Sequence, residues 1–164
     1  MRSNETYMQL AIDVAVLSKN TGGVAIGAVL IDSQTGEVVA KGESMVGLTK
    51  DPTAHAEINC IRTASQILGT DDLYNLTLFS TLEPCHMCLS ASAWARITKV
   101  YFGAYKKDVN ESLFDIKGDF SDEREGGRMN LRENLSMKVT GGILEEECAG
   151  LLINYYDPHH HDKQ

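Results

Sequence analysis

Between residues 76 and 104 the chain switches its hydrophobic period twice, and no other stretch restricts the fold as much. Residues 76–80 (LTLFS) read as a short strand. Pro84 then opens a helix to Ala95 carrying Met87, Leu89, Ala91, Ala93 and Trp94, and Lys99–Ala104 (KVYFGA) reads as the next strand. The same alternation occurs earlier. Residues 24–31 form an apolar, β-branched run, 32–37 supply turn residues, and 38–41 form a second run, so the pair reads as a hairpin. Its first strand is apolar nearly throughout, as in a strand covered on both faces. After a polar loop at 42–51, Pro52 is placed to open a helix through Ala56, Ile58, Ile61, Ala64, Ile67 and Leu68, with Gly69 as its stop. A helix between strand and strand, twice over, predicts an α/β fold, a sheet with helices packed on it.

The flanks add less. Residues 5–19 carry Tyr7, Met8, Ala11, Val14, Ala15 and Leu17 three and four apart, an amphipathic helix ended by residues 20–23. Residues 108–133 are charged and contain glycine, and read as a long surface loop with SDEREGG as its least structured part. Residues 135–139 suggest an edge strand, and 143–156 a final helix with Ile143, Leu144, Cys148, Leu151 and Leu152 inward. A chain of 164 residues suits one domain, taken as 1–157, with 158–164 a disordered tail whose His159, His160 and His161 are solvated.

Composition excludes several classes. With 43% hydrophobic and 23% charged residues the chain matches an ordinary globular protein, and no run approaches the roughly 20 apolar residues of a membrane span. The start, MRSNETYMQL, lacks a secretory pattern, so a cytoplasmic location is expected. A reducing compartment argues against disulfides, and Cys60 and Cys148, in apolar-periodic segments, read as small buried hydrophobes. The net charge of −8 and pI near 5.0 lack the electrostatic footprint of a nucleic-acid binder.

The chemistry concentrates in TLEPCHMC, residues 81–88. A Cys-x-x-Cys pair fits a redox dithiol, a structural zinc knuckle or part of a catalytic metal site. A redox pair leaves DPTAHAE, residues 51–57, without a purpose, and a closed structural site needs a fourth ligand that His86, pointing off the face shared by the cysteines, does not supply. A catalytic zinc takes three protein ligands and keeps one position open. Cys85 and Cys88 supply two, three apart on one helical face, and His55 supplies the third. Glu57, two residues beyond His55, is then free to act as general acid and base beside a zinc-acidified water. Both segments begin helices, whose N-termini favour anionic thiolate. Together these residues complete the pattern H-x-E…P-C-x-x-C of zinc deaminases.

With these motifs in place, the chain resembles the cytidine deaminase-like superfamily, in the branch of tRNA-specific adenosine deaminases and bacterial guanine deaminases. The resemblance is carried by GAVLID (27–32), DPTAHAEINCIR (51–62), TLEPCHMCLSASAWARITKVYFGA (81–104), SLFDI (112–116) and GGILEEECAGLL (141–152). It implies a three-layer fold with a five-stranded mixed sheet between helices. One Zn2+ per chain would sit on His55, Cys85 and Cys88, with Glu57 as proton shuttle. It further implies that backbone at Ala56 and Cys85 faces the reacting ring, that the carbonyl near Glu83 receives the amino group, and that the chain forms a homodimer; the apolar run from Leu89 to Trp94 fits such a contact and fits core packing equally. The implied activity is hydrolytic deamination of a nucleobase or nucleoside with release of ammonia.

Three departures from that pattern bear on substrate. Where related patterns carry an asparagine that hydrogen-bonds the base, this chain has Ser44, whose hydroxyl cannot reproduce an amide's paired donor and acceptor. The segment 109–132 is longer than in the tRNA-editing pattern, and INYYDPHHHDKQ replaces a basic helix end. A small nucleobase or nucleoside is therefore the expected substrate, with adenosine in a tRNA anticodon loop as the alternative. His86, beside the ligands, reads as a pocket-rim or solvent residue. A catalytically idle zinc-binding protein is the remaining alternative, against which an intact Glu57 speaks.

Overall fold

The computed structural model describes residues 2–109 and 137–153. The first helix, α1 (Asn4–Asn20), begins where the Ser3 hydroxyl accepts from the Thr6 N–H, with Glu5 in the first turn and Lys19 in the last. Two strands follow, β1 (Gly27–Asp32) and β2 (Val38–Glu43), then a single helical turn, α2 (Val46–Thr49), and the helix α3 (Ala56–Leu68). Next come β3 (Leu76–Leu82), α4 (His86–Trp94), β4 (Lys99–Ala104) and a 3-10 turn at Lys106–Asp108. The edge strand β5 (Lys138–Thr140) and the short helix α5 (Glu145–Gly150) complete the described chain.

The strands form one mixed sheet in the order β2-β1-β3-β4-β5. Strand β1 is antiparallel to both β2 and β3, while β3–β4 and β4–β5 are parallel. Helix α4 is therefore a crossover between adjacent parallel strands, whereas α3 carries the chain from the β2 edge past β1 to β3. One face of the sheet packs Tyr7, Met8, Val29, Phe79, Cys148 and Leu152, joining α1 and α5 to it. The other packs Ala28, Leu30, Ala56, Cys60, Leu78 and Leu89 beneath α3 and α4. The α/β class expected from the alternation and the three-layer arrangement implied by the resemblance are both observed, and Gly27–Ile31 is buried throughout, as a strand covered on both faces must be.

Boundaries differ for identifiable reasons. Residues 24–26 lie before β1, where the Gly23 N–H donates to the Ser18 carbonyl in the turn that leaves α1. Strand β2 runs on through Gly42 and Glu43 because both pair with β1, at Ala28 and Gly27. The expected loop 42–51 thus contains the end of a strand and α2. Pro52 does not open α3: Asp51 accepts from the Thr53 N–H and hydroxyl in a tight turn, and helical geometry begins only after the extended His55. Gly69 is the stop, in the left-handed conformation that favours glycine.

Likewise α4 begins at His86, after Cys85 rather than at Pro84. The edge strand lies at Lys138–Thr140, and the final helix is shorter than 143–156, starting after a left-handed Leu144. The readings of 110–133 as a loop, of the last residues of that helix and of 158–164 as a tail fall outside the described residues.

Two glycines set the layer spacing. A Cβ at Gly27 would collide with the Ala11 carbonyl oxygen, so α1 lies directly on β1. A Cβ at Gly42 would collide with the Ala56 carbonyl oxygen, so the first turn of α3 lies equally close to β2 on the opposite face. The second contact fixes where α3 starts, and with it the site.

Candidate zinc centre and active site

Two strand-to-helix passages build the site. His55 is the N-cap of α3 and Cys85 the N-cap of α4, both with extended backbone (ψ 156° and 170°). Their carbonyls accept the first helical hydrogen bonds, from Asn59 and Leu89. Neither side chain caps its own helix. Each turns to the other: His55 Nδ1 lies 3.7 Å from Cys85 Sγ and 3.6 Å from Cys88 Sγ, and the two sulfurs are 3.6 Å apart. Cys85 therefore stands at the helix cap and not on a shared helical face with Cys88, which belongs to the first turn.

These separations can be tested against zinc. Ligand bonds of about 2.3 Å to sulfur and 2.0–2.1 Å to nitrogen place tetrahedral ligand atoms roughly 3.5–3.8 Å apart. All three observed edges agree, and two thiols with one imidazole are the donor types zinc prefers. Among the described residues this is the one cluster of three such groups.

Glu57 lies in the first turn of α3 and is buried. Its Oε1 accepts from the Ser80 hydroxyl at 3.0 Å, and its Oε2 lies 3.4 Å from Cys88 Sγ. Burial pushes its carboxyl above the usual carboxylate range. Hydrogen bonding with Cys88 holds the Cys85 thiol down to about 4, and the Cys88 thiol is raised through the same contact. The two opposite shifts describe one proton shared by the pair. His55 is raised in turn, chiefly by its hydrogen bond with Cys85. Metal binding displaces such protons.

The other expected site residues have definite places. Ala56 is fully buried at the first position of α3, against Gly42. Glu83 is tied to the end of β4: its N–H donates to the Ala104 carbonyl at 2.8 Å, and its Oε2 accepts from the Lys106 N–H at 3.1 Å. His86 is half-buried at the start of α4. Ser44 is buried and fastened to α1, its carbonyl accepting from the Ser18 hydroxyl at 3.2 Å. Cys60 and Cys148 are fully buried with thiols pushed up by burial, as small hydrophobes.

Sequence reasoning missed Ser80 and Asn59. Asn59 Nδ2 donates to the Glu43 and Ala54 carbonyls, bracing the segment that leads into His55. Ser80 had a faint signal, a hydroxyl in alternating register with Leu76 and Leu78 on one face of the strand.

A His-Cys-Cys set with a buried carboxylate beside it, at the helix starts of a three-layer α/β sheet, has the make-up of a zinc-dependent hydrolase site. The family profile of the cytidine and deoxycytidylate deaminase zinc-binding region matches residues 1–104, and the chain belongs to that family. It is accordingly a zinc-dependent hydrolytic deaminase with the cytidine deaminase-like fold.

Among similar proteins, a tRNA-specific adenosine deaminase of Bacillus subtilis is 39% identical over 160 residues, covering 95% of this chain and 90% of its own. A guanine deaminase of the same organism is 39% identical over 114 residues, 69% of this chain and 72% of its own. A solved structure from work on A-to-I editing by tRNA:A34 deaminases superposes with a TM-score of 0.67 at 32% identity, covering 90% of this chain and 99% of that one. Both branches of the resemblance are thus present among the relatives. Among the described residues no helix is long and apolar enough to cross a membrane.

Proposed function

We propose that His55, Cys85 and Cys88 hold one zinc ion and that Glu57 shuttles protons while an exocyclic amine of a small nucleobase or nucleoside is replaced by a carbonyl. The observation that carries this reading is the position of Glu57 Oε2 beside the ligand set, 3.4 Å from Cys88 Sγ, on a carboxylate that is buried and not itself a member of the cluster. When bound, zinc supplies a water acidified from 15.7 toward about 7 as nucleophile. Glu57 takes the proton of the nucleophile and returns protons to the ring nitrogen and the departing amine, so that water is consumed and ammonia leaves. Backbone at Ala56 and Cys85 and the carbonyl of Glu83 face the base, and Ser44 and His86 border it.

A small substrate is supported by the net charge of −8, which repels a polyanion. Ammonia release from guanine, adenine, cytosine, isoguanine and the nucleosides by the zinc-loaded protein tests it, and silence across that set would refute it. A second reading, adenosine in a tRNA anticodon loop, is favoured by relatives of that description that cover nearly the whole chain. Inosine formed in an anticodon stem-loop RNA, with binding that weakens steeply with salt, is its test. The reading includes a homodimer through the end of α4, supported by Trp94, which is 89% exposed.

A further inference from the structure

We infer that Ser80 is a positioning residue for the deamination step, fixing which oxygen of Glu57 faces the substrate. This rests on the reading of Glu57 as proton shuttle and adds a residue to it. Ser80 is fully buried in β3, a strand with no exposed position, on a face otherwise given to leucine. A hydroxyl in such a place costs stability unless it is bonded, and apolar residues at Leu76 and Leu78 show what that face takes where packing alone matters. Its hydroxyl donates to Glu57 Oε1 at 3.0 Å.

The geometry divides the carboxylate's work. The terminal torsion of a glutamate is broad and nearly two-fold, so an untethered carboxylate samples many orientations. With Oε1 occupied by Ser80, Oε2 is left beside Cys88 at 3.4 Å, where the reacting atoms must lie. The tether spans 23 residues of sequence and joins β3 to the first turn of α3, two elements packed in one core. Misorientation of a transferring group of this kind lowers turnover more than substrate binding. Among the described residues the hydroxyl of Ser80 is bonded to Glu57 and not to His55, Cys85 or Cys88, so its effect passes through Glu57.

The pair Ser80→Thr and Ser80→Val separates the hydroxyl from its packing, because the two side chains are nearly isosteric. In zinc-loaded protein, with guanine and an adenosine-containing anticodon stem-loop RNA as probes, Ser80→Thr is expected to retain kcat. Ser80→Val is expected to lose about 10- to 100-fold in kcat with KM and zinc content unchanged. A readout independent of turnover is the infrared carboxyl band that vanishes in Glu57→Gln: it should shift in Ser80→Val and stay in place in Ser80→Thr. Equal kcat in the two variants, whether both high or both low, or a band unmoved by Ser80→Val, overturns the inference. Full activity in Glu57→Gln would instead overturn the shuttle reading on which it stands, so the two failures are distinguishable.

Discussion

His55 and Cys85, thirty residues apart in sequence, occupy the same position on two different helices, and their side chains meet at 3.7 Å without capping either helix. Two helix starts that would otherwise serve as local stabilisers are thereby brought into a group that could hold a metal ion. The arrangement leaves the extended cap residues free to aim across the gap, and the adjacent backbone amides favour negative charge on sulfur.

Metal removal should expose one thiol before the others. Cys60, Cys88 and Cys148 are buried, and Cys85 is half-buried and held down to about 4. In zinc-free protein iodoacetamide is expected to label Cys85 first. An ordinary thiol slows about tenfold for each unit of pH below 8.5. Cys85, already ionised well below neutrality, should react at a nearly constant rate from pH 8 to 5. Peptide mapping after labelling checks the order, and zinc should suppress it.

Replacing Glu57 by Gln keeps the size of the side chain and an oxygen to accept from Ser80, and removes the ability to hold and return a proton. Turnover should fall by about 10²- to 10⁴-fold while zinc content stays at one per chain. Metal analysis and single-turnover kinetics on the same preparation separate the two properties.

Gly42→Ala and Gly27→Ala form a controlled pair. Both put a methyl group against backbone, at Ala56 in one case and Ala11 in the other, and each should cost about 1–3 kcal/mol in thermal or denaturant unfolding. Only Gly42→Ala displaces the first turn of α3, so it alone should weaken zinc binding. Competition with a chromogenic chelator measures this, and equal zinc affinity in both variants would contradict the role given to that contact.

Trp94→Glu tests the proposed dimer. The side chain is exposed at the end of α4, so the substitution should leave unfolding of the chain within about 0.5 kcal/mol. Sedimentation velocity should nevertheless move from dimer to monomer at micromolar concentration.

Much of this protein is a local matter. The period of residues 76–104 predicts strand, helix and strand, and the structure has Leu76–Leu82, His86–Trp94 and Lys99–Ala104. The three ligand types and their spacing point to zinc chemistry because a metal's needs are written in residue identity. Helix starts were less legible. Pro52 and Pro84 look like first helical residues, yet the Asp51 turn and the extended His55 and Cys85 delay both helices until the site residues are in place.

Sequence by itself determined the α/β class, the candidate His-Cys-Cys set with Glu57 beside it, and membership of a deaminase family. Tertiary structure decided the strand order, the placing of two candidate ligands at helix caps, the close seating of α3 on Gly42 and the tether from Ser80 to Glu57. The reason is range. Periodicity and ligand chemistry act within a few residues, whereas Ser80 reaches Glu57 only because β3 takes its place beside β1 under α3, a choice made by packing across the whole sheet.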